Sequence, residues 1–199
     1  MLNKKGGPLL GTHEKGLVFI LSAPAGTGKT TLVDMLVKEF PTVLANVSYT
    51  TRAPREGEIE GVHYHFVSEP EFARKQAAGE FLESVKLYNV SYGSSRQWVE
   101  ERINQGYHVF LVIDTQGAMQ LKNSINAVYV FIRPPSLEAL KHRLIKRQTE
   151  TTEMVEKRLA WAAQELEAAQ HYDYQITNDD LAIAYQVLKS ILIAECHRS

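Results

Sequence analysis

An unbroken apolar run, Leu17 to Leu21, leads directly into Ser22-Ala23-Pro24-Ala25-Gly26-Thr27-Gly28-Lys29-Thr30-Thr31. After Lys29 the apolar residues recur at Leu32, Leu36 and Phe40, with Val33 and Val37 alongside, and Pro41 ends the pattern. A short apolar run without polar alternation is a strand covered on both faces, as in a parallel sheet, whereas a spacing of four is one face of a helix. Strand, glycine loop and helix in immediate succession predict an α/β layered core. Three further runs, His108 to Asp114, Ala127 to Ile132 and Tyr174 to Thr177, read as strands of the same sheet. Helical patterns alternate with them at Leu137-Leu140-Leu144, at Val155-Leu159-Ala162-Leu166-Ala169 and at Leu181-Tyr185-Leu188-Leu192.

The glycine loop carries chemistry of its own. Gly26 and Gly28 let the backbone turn its N–H groups inward, the helix beginning near Lys29 adds the positive end of its dipole, and the lysine ammonium adds a full charge. Together these make a phosphate cradle. Thr30 can place its hydroxyl on Mg²⁺, so the loop predicts a nucleoside triphosphate, ATP, arriving with its metal. The general pattern GxxxxGK[ST] has a glycine where this chain has Ala23. A methyl group is the smallest departure available, and the two glycines nearest the phosphates are intact. The formal charge is -1 over 199 residues, so no whole-molecule field attracts anions and any phosphate must meet a local site.

Between Asn46 and Gly106 the texture shifts to Thr, Arg, Gly, Glu, Tyr and Ser, with short strand-like pieces such as Val62 to Val67 and a helix near Glu69 to Ala78. This reads as an insertion. Arg52 and Arg55 stand three apart around Pro54, which blocks regular helix, so both guanidinium groups can turn on one anion. Tyr64, Glu83, Tyr92 and Ser94 follow. Tyrosine and serine hydroxyls suit phosphate oxygens, and a carboxylate can accept two hydrogens from a base edge that donates twice, as N1 and the 2-amino group of guanine do. Adenine offers no such pair. A second insertion, Leu137 to about Gln170, is helical and rich in arginine and glutamate.

From about Leu17 to the C-terminal helix the chain resembles guanylate kinases, in the order SAPAGTGKTTL, SYTTRAPREGE, HYHFVS, GEFLE, VSYGSS, VIDTQG, FIRPPS, KHRLIKRQTET, EKRLAWAAQEL and ITNDDL. The resemblance implies a P-loop three-layer core with a parallel sheet at about 16–46, 106–136 and 171–199. It also implies an inserted GMP-binding subdomain with a small mixed sheet at about 47–105, and a helical lid at about 137–170. It implies that Ala23, Pro24, Ala25, Gly26, Thr27, Gly28, Lys29, Thr30 and Thr31 hold the ATP phosphates, with Asn178 near its base and ribose. Arg52, Arg55, Tyr64 and Tyr92 would grip the GMP phosphate; Ser48, Glu58, Glu83 and Ser94 would complete that site. Arg143, Arg147 and Arg158 would close over the transferring group, beside Lys29 and Arg52. Family members often carry two acids before the Gln-Gly pair. Here Val112, Ile113 and Asp114 leave only the second, which serves either Mg²⁺ through water or guanine.

The implied reaction is ATP + GMP giving ADP + GDP, with dGMP a further acceptor. A related kinase acting on a ribose bisphosphate is disfavoured by Glu83 and Ser48, and a non-catalytic scaffold domain by the intact Lys29, Thr30 and arginine pair. Cys196 is the one cysteine, so no intrachain disulfide can form, and no HExxH, CxxC or similar spacing marks a protein-held metal. The first sixteen residues lack a secretory apolar region and no run approaches membrane-spanning length, which predicts a cytoplasmic protein with no membrane partner. Without a basic aromatic groove, nucleic acid is not an expected partner. No sequence feature specifies an oligomeric state.

Overall fold

The computed structural model describes residues 9–87, 89–146 and 152–198. The predicted first unit is present as β1 (Val18–Ser22), the glycine loop and α1 (Lys29–Glu39), followed by β2 (Val43–Ala45). The insertion contributes β3 (Tyr49–Thr50), β4 (His65–Phe66), α2 (Glu69–Ala77), β5 (Phe81–Leu87), β6 (Val90–Ser95) and α3 (Arg96–Asn104). The core resumes with β7 (His108–Val112), α4 (Thr115–Leu121) and β8 (Val128–Arg133). Two arginine-bearing helices, α5 (Leu137–Lys146) and α6 (Thr152–Ala168), precede β9 (Tyr174–Thr177) and α7 (Leu181–Cys196).

The main sheet is five-stranded and parallel, in the order β2-β7-β1-β8-β9. Because successive strand residues point to opposite faces, each continuous apolar run feeds two cores at once. Phe19, Leu21, Phe110, Val130 and Ile132 pack on one face with Leu32 and Leu36 of α1 and Leu188 and Leu192 of α7. Ile20, Val109, Leu111, Tyr129 and Phe131 pack on the other with Val99 of α3 and Ala118 and Leu121 of α4. The result is three layers. Phe19 and Phe110 stack across β1 and β7 with ring centroids 4.7 Å apart.

A second sheet, β4-β3-β6-β5, is mixed: β3 runs parallel to β4, and β6 runs antiparallel to both β3 and β5. The stretch from Val62 to Val67 narrows to the two residues of β4, since 59 to 64 form turns closed by His63 N–H to the Ile59 carbonyl. Helix starts are capped as their sequences suggest. Ser68, Ser95, Asp114 and Asp180 each accept a backbone N–H three residues on. Among the described residues no helix is long and apolar enough to cross a membrane.

Candidate active site

The glycine loop emerges from the carboxyl end of β1, in the middle of the sheet, where open α/β sheets place their ligands. Gly26 and Gly28 have φ of 89° and 90°, in the left-handed region that a side chain disfavours. The loop is braced from within. Thr27 donates its hydroxyl to the Pro24 carbonyl at 2.7 Å, and the buried Asn178 side-chain amide donates to the Thr27 carbonyl at 2.7 Å. A Cβ on Gly28 would lie 2.8 Å from that amide. The Lys29 ammonium donates to the Ala23 carbonyl, which folds it back over the loop. Ala23 is 1% exposed and its methyl joins the core beside α1, so its departure from glycine is absorbed by packing. Thr30 and Thr31 face solvent at the start of α1.

Next to the loop lies a cavity of about 280 Å³. Lys29, Thr30, Asp114 and Arg158 of α6 line it together with Ser48, Arg52, Arg55, Glu58, Tyr64, Glu83 and Tyr92 from the insertion. Loop and arginine pair therefore share one cavity. Glu58 sits on Arg52: its two oxygens accept from both Arg52 terminal nitrogens at 2.8 Å, and one also accepts the Arg55 N–H at 2.7 Å. The Arg52 guanidinium holds the Glu58 carboxyl down at about 2. Arg52 also lies 5.3 Å from the centre of the Tyr64 ring, and its Nε is buried with no hydrogen-bond partner. The guanidinium is thus fixed in direction by Glu58. Burial pushes the Tyr64 hydroxyl pKa up, so it stays a donor.

Glu83 is 4% exposed. Burial raises its pKa to about 7, against the opposing hydrogen bond from the Ser94 hydroxyl at 2.7 Å. Ser94 in turn accepts from Asn46 at 3.2 Å, and Asn46 also reaches Ser48 at 3.3 Å. Room for the carboxylate is made by Gly117 of α4, where a Cβ would come within 2.6 Å of a Glu83 oxygen. Asp114 caps α4 with one oxygen, at 2.9 Å from the Gly117 nitrogen, while Oδ2 is buried without a partner. Burial raises the Asp114 pKa. A second buried acid, Glu165 of α6, is raised to about 7 by burial, with Lys29 pulling the other way.

Leu140 and Leu144 of α5 pack with Val155, Leu159 and Ala162 of α6 and with Ala25 of the loop, so the two arginine-bearing helices rest on the phosphate cradle. Arg158 reaches the cavity. Arg143 does not line it, and its terminal nitrogen lies 3.4 Å from the Asp179 carbonyl instead. Arg147 lies outside the described residues. Asn178 is placed beneath the loop, 4% exposed, with its amide bound to Thr27.

Sequence reasoning passed over Asn46, Gly117 and Glu165. Glu165 had a signal: it falls three residues after Ala162 and four before Ala169, on the apolar stripe of α6, where an acid is out of place. Asn46 and Gly117 had none, since each acts by touching residues far away in the chain.

Residues 15–195 match the family described as Guanylate kinase. The chain is 65% identical over 188 residues to the guanylate kinase of Protochlamydia amoebophila (strain UWE25), covering 94% of this chain and 95% of that one. It is 48% identical over 182 residues to that of Chlamydia trachomatis serovar D, covering 91% and 89%. The crystal structure of guanylate kinase from Anaplasma phagocytophilum superposes with a TM-score of 0.78 at 33% identity, covering 93% of this chain and 88% of that one.

Proposed function

The chain belongs to the guanylate kinase family, and from that premise we propose that its cavity-borne site transfers the γ-phosphoryl group of ATP to GMP, giving ADP and GDP. The observation that carries this reading is the shared cavity: a phosphate loop with Lys29 on one side, Arg52, Arg55, Tyr64 and Tyr92 on the other, and a buried carboxylate, Glu83, behind them. That placement suits two nucleotides lying phosphate to phosphate. The loop from Ala23 to Thr31 takes the triphosphate, with Asn178 bracing it. Arg52, aimed by Glu58, takes the acceptor phosphate with Arg55 and the two tyrosines. Glu83, Ser94 and Ser48 take the guanine edge, and dGMP fits the same contacts because none of these residues is assigned to the 2′-hydroxyl.

No covalent intermediate is needed. A GMP phosphate oxygen attacks the γ-phosphorus in line as the bond to the β-bridging oxygen breaks, and ADP leaves with that electron pair. The protein holds two anions together and spreads positive charge over the group in flight, from Lys29 and Arg158, which line the cavity, and from Arg143 and Arg147 once the lid closes. The partnerless Asp114 Oδ2 and the solvent-facing Thr30 hydroxyl fit a hard divalent cation that keeps most of its waters. Mg²⁺ bound there would neutralise the β- and γ-oxygens. Closure of both insertions over the core would keep bulk water from competing as acceptor. We assign the core to about 16–46, 106–136 and 171–199, the acceptor subdomain to about 47–105 and the lid to about 137–170.

A coupled assay for ADP, run with GMP, with AMP and with no acceptor, tests the assignment. Turnover should require GMP. Lys29→Ala should abolish it, with a loss of ~10³ or more, and Arg52→Ala should chiefly raise the KM for GMP. Undiminished turnover in Lys29→Ala, or equal rates with AMP and GMP, would reject the reading.

A further inference from the structure

The opposite end of the parallel sheet carries a cluster that phosphoryl transfer does not use. His108 opens β7 and is 1% exposed; Val112, at the far end of the same strand, lines the nucleotide cavity. The two ends are separated by ~13 Å of strand. Around His108 come His13, from the segment preceding β1, and Cys196, the last residue of α7. Each offers one metal-ligating atom, and the three atoms lie within 4.8 Å of one another. They come from three distant stretches of chain, which is why no ligand spacing shows in the sequence.

We propose that His13, His108 and Cys196 bind one borderline-soft divalent cation, zinc by the chemistry of the donors, and that the ion fastens the segment 9–17 and the end of α7 to the amino end of the sheet. Two imidazoles and a thiolate select zinc over magnesium or calcium, which take oxygen donors. The spacing suits it. With Zn–S of ~2.3 Å and Zn–N of ~2.0–2.1 Å, tetrahedral angles set sulfur and nitrogen about 3.5 Å apart. Cys196 Sγ lies 3.5 Å from His108 Nε2. His13 is the half-buried member, its ring centroid 4.9 Å from that of His108 and edge-on to it. Its movement toward the pair closes the site.

The surroundings already supply an outer contact of the kind that orients such ligands at His13. His13 Nε2 donates to the Leu10 carbonyl at 2.8 Å, which leaves Nδ1 for the metal. Leu10 is fully buried, and Gly16 lies so close over Tyr107 that a Cβ would sit 1.7 Å from its carbonyl oxygen, so the segment bearing His13 is anchored at both ends. The Leu17 N–H donates to His108 Nδ1 at 3.3 Å, which leaves the proton on Nε2 beside the sulfur. On loading, Nε2 takes the cation and the imidazole proton moves to Nδ1, releasing that long contact. The Cys196 thiol proton passes to solvent, one proton in all, and a water takes the fourth position on the His13 side.

The full chain, stripped with a chelator, is titrated with zinc against a chromophoric competitor and, separately, with cobalt(II) as a spectroscopic stand-in. The expected result is one equivalent bound, a near-ultraviolet sulfur-to-cobalt charge-transfer band, and a higher Tm with zinc. Cys196→Ser should lose the band and His13→Ala should weaken binding by about tenfold or more. His13→Ala removes no core side chain, and with excess Mg²⁺ its ADP-forming rate should equal that of the unsubstituted enzyme stripped of zinc. Uptake below one equivalent overturns the proposal. So does equal uptake by Cys196→Ser, or a cobalt complex without the thiolate band, since either would place the ion on surface histidines.

Discussion

Glu83, proposed to take the guanine edge, also bears on stability. Its pKa stands at about 7 against the ordinary 4.5, because the ionised form has left water. At ~1.4 kcal/mol per unit, keeping that charge buried costs about 3 kcal/mol above pH 7. The folded chain holds this proton more tightly than the unfolded chain, so the group's contribution to stability falls as pH rises from about 4.5 to about 7 and is flat beyond. Glu83→Gln should therefore melt higher than the unsubstituted protein at pH 8, and nearly with it at pH 4, by differential scanning fluorimetry. The same variant should raise the KM for GMP, since an amide oxygen accepts while its NH₂ opposes the guanine donors. In the unsubstituted enzyme the KM for GMP should climb as pH drops below 7, where the carboxyl is protonated. The acid itself was legible in the sequence. Its burial was not: Glu83 shares a strand face with Phe81 and Val85, where alternation predicts an apolar residue.

Among elements, the glycine loop and α1 were read at nearly their final boundaries, because loop chemistry and hydrophobic period agree there. Gly28 is the position at which that agreement is strictest. Its φ of 90° and the Asn178 amide 2.8 Å from a would-be Cβ both exclude a side chain. Gly28→Ala should lose ~1–2 kcal/mol from the backbone alone, with further cost as Asn178 is displaced from Thr27. Thermal denaturation and equilibrium ATP binding should both record the damage. The elements that were not separately legible are β2, β3, β5, β6, α3 and α4, and several of them border the cavity. β6 buries Gly93 and Ser94, α4 needs Gly117 beside a carboxylate, and neither pattern resembles an apolar strand or helix.

Across the whole molecule the legible part is the parallel sheet. Its central strands β7, β1 and β8 are apolar on both faces, so a sheet covered on two sides follows from sequence alone. Phe110, fully buried at the centre of β7 and stacked on Phe19, should cost ~3–5 kcal/mol when replaced by alanine, as a lower midpoint in urea with an unchanged slope. The order β2-β7-β1-β8-β9 was not legible, because strand neighbours depend on contacts between distant segments. The small sheet is inserted between β2 and α3, and Asn46 bonds Ser48 near its entry and Ser94 near its exit. Departure and return of the chain are thereby pinned side by side. A segment whose two ends meet at one point can vary in length between them, provided the β5 contacts with α4 are kept. New acceptors for the same donor chemistry can accordingly arise by grafting between positions 46 and 95, leaving the phosphate cradle as it stands.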